Sequence, residues 1–137
     1  MTYLVDTDYV VDHLKGQRNA TDILTTLLPD GLAISIITFA EVYEGIYYGH
    51  SRAHHEKGLH QFLQGVSILG ITRSVARQCA LLRGELRATP HGKALVQPKD
   101  KYDLFVAATA VHYNLTLVTR NIKDYDRIPH LKLYQGT

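Results

Sequence analysis

The sequence has a single cysteine and no tryptophan among its 137 residues. Cys79 cannot form an internal disulfide bond by itself, and it cannot build a zinc site without further thiols. No apolar run approaches the ~20 residues that span a bilayer as a helix. A charge already appears at Asp6, which argues against a secretory signal at the N-terminus. These absences favour a cytoplasmic protein that is not embedded in a membrane.

The chain also has no large excess of positive or negative charge. The formal net charge is +2, which is too small to identify a nucleic-acid-binding protein. Charged residues make up 20% of the chain and hydrophobic residues 45%, which is a composition that folds around a core. The length is that of one ordinary domain, and no internal repeat or linker interrupts it. We therefore expect one domain over residues 1–137.

Short apolar or β-branched runs alternate with helical patterns along the chain. The predicted strands are residues 3–5, 32–36, 66–69, 116–118 and 131–134. The predicted helices are residues 7–13, 20–28, 39–48 with Thr38 as N-cap, 54–63, 72–87 and 104–113, and residues 89–100 are expected to form a loop. This alternation predicts a three-layer α/β/α fold with a five-stranded parallel sheet and right-handed crossovers.

Three acidic residues occur where a buried segment should exclude them. Asp6 ends the first apolar strand, Glu41 lies in the first turns of a helix, and Asp103 precedes the apolar helix that begins at Leu104. Each has an ordinary explanation as a turn residue, a helix cap or a solvated side chain. Together they favour a shared site, because converging carboxylates repel one another unless a divalent cation is bound. Oxygen ligands suit Mg²⁺ or Mn²⁺, which can promote hydrolysis of a phosphodiester.

Four segments resemble the successive motifs of a known family. They are residues 4–8 (LVDTD), 36–41 (IITFAE), 103–110 (DLFVAATA) and 117–121 (LVTRN). In this order and at this spacing they are similar to PIN-domain ribonucleases, above all to the VapC-type toxins of toxin–antitoxin pairs. The resemblance extends from residue 3 to about residue 134.

The resemblance implies a fold, an activity and several partners. It implies a five-stranded parallel sheet, an endoribonuclease that needs Mg²⁺ or Mn²⁺, an RNA substrate, a cognate antitoxin protein and a homodimer. By this match Asp6, Glu41 and Asp103 are the metal-binding and catalytic acids, and Asp124 is the fourth acid. Thr119 and Asn121 correspond to supporting polar residues.

Three positions leave the assignment open. Position 8 is usually asparagine in this motif, and here it is Asp8. Asp100 lies close before Asp103 and competes with it for the role of third acid, although the apolar helix favours Asp103. Asp126 competes in the same way with Asp124.

Two other functions fit parts of the same pattern. Asp6 and Asp8 after an apolar strand also match the motif of haloacid-dehalogenase-like phosphatases, with Asp6 as the nucleophile and Asp8 as the acid/base. That family needs an acidic pair after a later strand, and residues 117–118 are not followed by a convincing one. A catalytically inactive module that binds RNA or protein is the other alternative.

Overall fold

The structure is a computed structural model, which describes residues 1–97 and 100–136. Its strands form one five-stranded sheet in which every neighbouring pair is parallel. The strands are β1 (Tyr3–Val5), β2 (Leu32–Ser35), β3 (Val66–Leu69), β4 (Thr116–Val118) and β5 (Lys132–Leu133). Their order across the sheet is β3-β2-β1-β4-β5, which confirms the predicted fold class.

Helices cover both faces of this sheet within the described residues. They are α1 (Thr7–Leu14), α2 (Arg18–Leu27), α3 (Ile36–Tyr48), α4 (Arg52–Leu63), α5 (Arg73–Arg87), α6 (Lys101–His112) and α7 (Ile122–Tyr125). One hydrophobic core forms between the sheet and α5 and α6 and includes Leu82, Leu104 and Leu117. A second core forms on the opposite face with α1 to α4 and includes Val10, Ile34 and Leu59. Two buried faces explain why the inner strands β1, β2 and β4 are short apolar runs, whereas the edge strands β3 and β5 are partly exposed.

The sheet has a topological switch point at β1. From β1 the chain proceeds to β2 and β3 on one side, whereas β4 and β5 lie on the other side. Ligands of open parallel sheets bind beyond the carboxyl ends of the strands at such a point. The switch point therefore places the candidate site after β1 and β4.

The position of β2 beside β1 depends on one glycine. Gly31 has φ +93°, a conformation that residues with a Cβ atom rarely adopt. Its carbonyl oxygen accepts hydrogen bonds from the backbone N–H groups of Thr2 and Tyr3, at 3.0 and 3.1 Å. A Cβ atom at this position would come within 2.9 Å of the Cα atom of Met1.

Several predicted boundaries were wrong. Helix α3 begins at Ile36 with Ser35 as its N-cap, because the Ser35 hydroxyl accepts from the backbone N–H of Ile37 at 3.0 Å. Thr38, the predicted cap, is fully buried inside the helix. Helix α6 begins at Lys101, so Asp103 lies within its first turn. Helix α7 was not predicted.

The predicted loop at residues 89–100 contains a short 3-10 helix at Gly92–Leu95. Residues 98–99 of that loop lie outside the described residues. In the described ranges, no helix has the length and apolar character needed to cross a membrane.

Candidate active site

Asp6 lies at the switch point because β1 pairs with β4. In this pairing Val5 is opposite Val118, so the residues that follow the two strands are neighbours. The backbone N–H of Asp6 donates to the carbonyl oxygen of Val118 at 2.9 Å, which extends the pairing by one residue. The Thr119 hydroxyl then donates to Asp6 Oδ2 at 2.8 Å. Thr119 therefore holds the Asp6 carboxylate, and its supporting role in catalysis stays a prediction.

The Asp6 carboxyl group is buried, with 7% of the residue exposed. Asp6 is also the N-cap of α1, and its Oδ1 accepts from the backbone N–H of Thr7 at 2.9 Å. Burial raises the pKa of Asp6 to about 7, and the negative charges of Asp8 and, more weakly, Asp103 add to this effect. The hydrogen bonds from Thr119 and Thr7 lower that pKa but do not cancel the effect of burial.

Glu41 reaches the same region from α3. The Thr7 hydroxyl lies 2.8 Å from Glu41 Oε1, to which it can donate, and 3.2 Å from the hydroxyl oxygen of Thr38. Thr7 thus links the first turn of α1 to the Glu41 side chain. Threonine is common at helix starts because it caps the helix, so Thr7 in the sequence did not by itself indicate a contact with Glu41.

Asp103 enters from the first turn of α6. Burial raises the pKa of its carboxyl group, and the negative charges of Glu41, Asp124 and Asp100 raise it further. The nearby Tyr125 hydroxyl acts in the opposite direction and lowers the pKa. The charge of Asp103 raises the pKa of Asp6, and the charge of Glu41 raises the pKa of Asp103, so the three acids lie in one electrostatic environment.

Four of the predicted site residues line a single cavity of about 380 Å³. They are Asp6, Glu41, Asp103 and Asn121, and they share the cavity with Thr7, Asp8, Val11 and Asp12. Within residues 1–97 and 100–136, no three Asp, Glu, His or Cys side chains are arranged closely enough to hold one metal ion. The structure therefore brings the predicted acids to one cavity, and their roles as metal ligands remain predictions.

The fourth acid lies at the margin of this cluster. Asp124 is exposed on α7, and its charge acts on Asp103, although its side chain does not line the cavity. Asp126 likewise does not line it. Asp100, the competitor of Asp103, accepts a hydrogen bond from the backbone N–H of Gln97 at 3.2 Å and lies outside the cavity lining. The cavity lining thus favours Asp103 over Asp100, and only the effect of its charge on Asp103 favours Asp124 over Asp126.

The sequence reasoning did not include Asp8 and Asp12 in the predicted site. Asp8 Oδ2 accepts from the backbone N–H of Arg120 at 3.0 Å and lies 3.3 Å from the Thr119 hydroxyl oxygen. Arg120 forms an ion pair with Asp12 at 2.8 Å and stacks over the Tyr9 ring at 4.4 Å. Asp8 and Asp12 are four residues apart on α1, and this i, i+4 spacing could have indicated that both lie on the same face of the helix as the site.

Comparison with known proteins identifies this arrangement. Residues 3–131 match the family model described as the PIN domain. The chain belongs to the PIN-domain family. This match confirms the resemblance that the four sequence motifs indicated. The acidic cavity of the chain lies at the carboxyl edge of its sheet.

Similar proteins within the PIN-domain family include VapC ribonucleases and toxin–antitoxin complexes. Ribonuclease VapC2 of Rickettsia felis is 31% identical, with 97% of this chain and 96% of the relative aligned. The crystal structure of VapBC2 from Rickettsia felis, bound to a DNA fragment from their promoter, has a TM-score of 0.78 over 98% of both chains. A toxin–antitoxin complex from Klebsiella pneumoniae has a TM-score of 0.72 at 30% identity and covers 95% of each chain.

These matches decide between the alternatives left open by the sequence. The chain is a nuclease of the PIN-domain family and of its VapC-type ribonucleases. The phosphatase interpretation of Asp6 and Asp8 is therefore rejected. PIN-domain ribonucleases of this type depend in general on a divalent metal ion.

Proposed function

We propose that this PIN-domain protein is an endoribonuclease that uses Mg²⁺ or Mn²⁺ held by Asp6, Glu41 and Asp103, and that it is the toxin of a toxin–antitoxin pair. The observation that carries the proposal is the common cavity of these three acids at the switch point of the sheet. RNA in the cytoplasm is the proposed substrate, by analogy with the ribonuclease relatives.

The chemistry of the residues that line the cavity suits such a cation, although their side chains would have to move closer together to hold it. The titratable side chains that line it are all carboxylates, and its other polar groups are the oxygen-bearing side chains of Thr7 and Asn121. Hard oxygen donors without imidazole or thiolate suit Mg²⁺ and Mn²⁺. When bound, the cation would neutralise charge on the scissile phosphodiester and increase the acidity of the attacking water.

The protein's own residues prepare the site for that chemistry. Thr119 holds Asp6, and Thr7 holds Glu41, so two of the acids have restricted orientations. The Asn121 amide lines the cavity and is available to donate to a phosphate oxygen or a ribose hydroxyl group. Asp124 would increase the negative potential beside Asp103, which would strengthen the attraction for a cation.

A thermal-stability experiment tests the role of Asp103. Mn²⁺ that binds only the folded protein should stabilise the wild type by ~2.7 kcal/mol at a hundredfold excess over Kd. Asp103→Asn should lose most of this increment together with RNA cleavage, because one charged ligand is removed without a change of shape. Melting curves in EDTA, Mg²⁺ and Mn²⁺ measure the increment, and Asp100→Asn is the matched control. An equal Mn²⁺ shift in wild type and Asp103→Asn would exclude Asp103 as a ligand and favour Asp100.

An apolar groove supports the proposed antitoxin partner. It has a volume of about 370 Å³ and lies between α1, α3 and α4; its lining residues are Val11, Leu14, Lys15, Val42, Gly45, Ile46, Gly49, His50 and His55. Val11 also lines the acidic cavity, so the groove leads to the acids. We propose that apolar residues of the antitoxin occupy this groove and that an adjacent basic residue reaches the carboxylates. A homodimer, which the family resemblance implies, remains a prediction.

Gly45→Leu is expected to weaken antitoxin binding at least about tenfold, because the new side chain fills the groove and tenfold corresponds to only ~1.4 kcal/mol. A Cβ atom at Gly45 meets no other atom within 4 Å, so the free protein should fold normally and cleave RNA. Gly84→Leu on α5 is the matched control, since it is also exposed and also meets nothing within 4 Å. Calorimetric titration with the product of the adjacent gene measures the affinities. Equal affinities for the two variants would contradict the proposed groove.

A further inference from the structure

Tyr125 ends helix α7 and is almost completely buried, with 1% of the residue exposed. Its ring packs in the core that lies between the sheet and α5 and α6. Its hydroxyl group is buried and has no hydrogen-bond partner among the described residues. A buried hydroxyl without a partner is unfavourable, so native structures seldom keep one without a reason.

The surroundings of this hydroxyl are acidic. Burial raises the pKa of Tyr125, and the neighbouring charges of Asp6, Asp103 and Asp8 raise it further. The phenol therefore keeps its proton and can act only as a hydrogen-bond donor toward these carboxylates. The hydroxyl thus lies close to the acidic cluster, although Tyr125 does not line the cavity.

Asp103 is the carboxylate that lacks a donor. Asp6 accepts from Thr119 and Thr7, and Glu41 accepts from Thr7. Within residues 1–97 and 100–136, no donor lies at full hydrogen-bond distance from the Asp103 side chain, but the Tyr125 hydroxyl is close enough to lower the pKa of Asp103 as a hydrogen-bond donor does. A donor without an acceptor and an acceptor without a donor therefore lie next to each other.

We propose that Tyr125 is a positioning residue, whose hydroxyl donates to the Asp103 carboxylate when a divalent cation binds and orients Asp103 as a ligand. This inference rests on the proposed function, in which Asp103 binds the cation. A metal-ligating carboxylate is commonly fixed by a hydrogen bond to its second oxygen, and loss of that bond weakens metal binding. The buried ring holds the hydroxyl in place, so little conformational freedom is lost when the bond forms.

The test compares the Mn²⁺ affinity and the metal-free stability of Tyr125→Phe with those of the wild type. Titration calorimetry with Mn²⁺ should show affinity reduced at least about tenfold, as for other partners of metal ligands. In EDTA the melting temperature should be unchanged or higher, because the substitution removes an unpaired buried hydroxyl and keeps the ring. If the hydroxyl had only a structural role, Tyr125→Phe would instead lower the melting temperature in EDTA and leave the Mn²⁺ affinity unchanged. Tyr113→Phe, at the far end of α6, is the matched control and should change neither quantity.

A double-mutant cycle shows whether Tyr125 acts through Asp103. In an Asp103→Asn background, Tyr125→Phe should have little further effect on Mn²⁺ affinity. If the wild type binds Mn²⁺ and Tyr125→Phe binds it equally well, the inference about Tyr125 is wrong, but the proposed metal site is not affected. An equally large effect of Tyr125→Phe in both backgrounds would also overturn it. Absence of Mn²⁺ binding by the wild type would instead overturn the proposed metal site and this inference with it.

Discussion

Asp6→Asn is expected to abolish RNA cleavage and the growth arrest that follows expression of the protein in bacteria. Asp6 is the most buried of the three acids proposed to bind the cation, and asparagine removes its charge while keeping its shape. A divalent cation supplies several kcal/mol of transition-state stabilisation, and loss of ~4 kcal/mol corresponds to about a thousandfold lower rate. Cleavage of a labelled RNA in Mn²⁺ and colony formation after induction measure the two effects.

The matched control for this experiment is Asp22→Asn. Asp22 is exposed on α2 and does not line the acidic cavity, so the same chemical change there should leave activity and toxicity unchanged. Wild-type activity in Asp6→Asn would exclude the proposed site. A variant that retains RNA binding without cleavage would agree with a role of Asp6 in catalysis rather than in folding.

The metal-free protein is expected to be more stable at pH 5 than at pH 8, with a contribution from Asp6 of about 3 kcal/mol. The pKa of Asp6 in the folded protein is about 7, roughly three pH units above its ordinary value. Between these two values the folded protein keeps a proton that the unfolded chain releases. The free energy of unfolding therefore decreases as the pH rises from about 4 to about 7, and the stabilisation is lost above the folded pKa.

Other groups with shifted pKa values also contribute to this pH dependence of stability. The pKa values of Asp103 and Asp8 are also raised by burial, so both groups act in the same direction as Asp6. Burial lowers the pKa of His13, which opposes the effect because the unfolded chain gains a proton there as the pH falls. A direct comparison of wild type with Asp6→Asn removes these shared contributions.

Urea unfolding in EDTA at several values from pH 5 to pH 8 measures this difference. Asp6→Asn should show a flatter pH dependence than the wild type and should be the more stable protein at pH 8. Mn²⁺ should reverse the order at pH 8, because it binds the ionised carboxylates of the wild type. Identical pH profiles for the two proteins would show that Asp6 keeps its ordinary pKa.

Local patterns were sufficient to predict most of the fold. The apolar or β-branched runs predicted all five strands, with β1, β3 and β4 at the observed bounds. The inner strands were clear because a strand buried on both faces needs continuous apolar residues. The boundary of α3 was wrong, since Ser35 and Thr38 are both good caps and only the packing of Thr38 into the core decides between them. Helix α7 is a single turn that is too short to show a period.

The sequence by itself determined the parallel α/β architecture and favoured a shared site for Asp6, Glu41 and Asp103. It did so because strand and helix periods, and acids within apolar segments, are local properties of the chain. Only the tertiary structure decided which groups touch these acids: Thr119 lies 113 positions from Asp6, and Thr7 lies 34 positions from Glu41. The strand order that places β1 between β2 and β4 creates these contacts, and it also brings the Tyr125 hydroxyl beside Asp103. Such contacts follow from packing of distant segments, which no local pattern encodes.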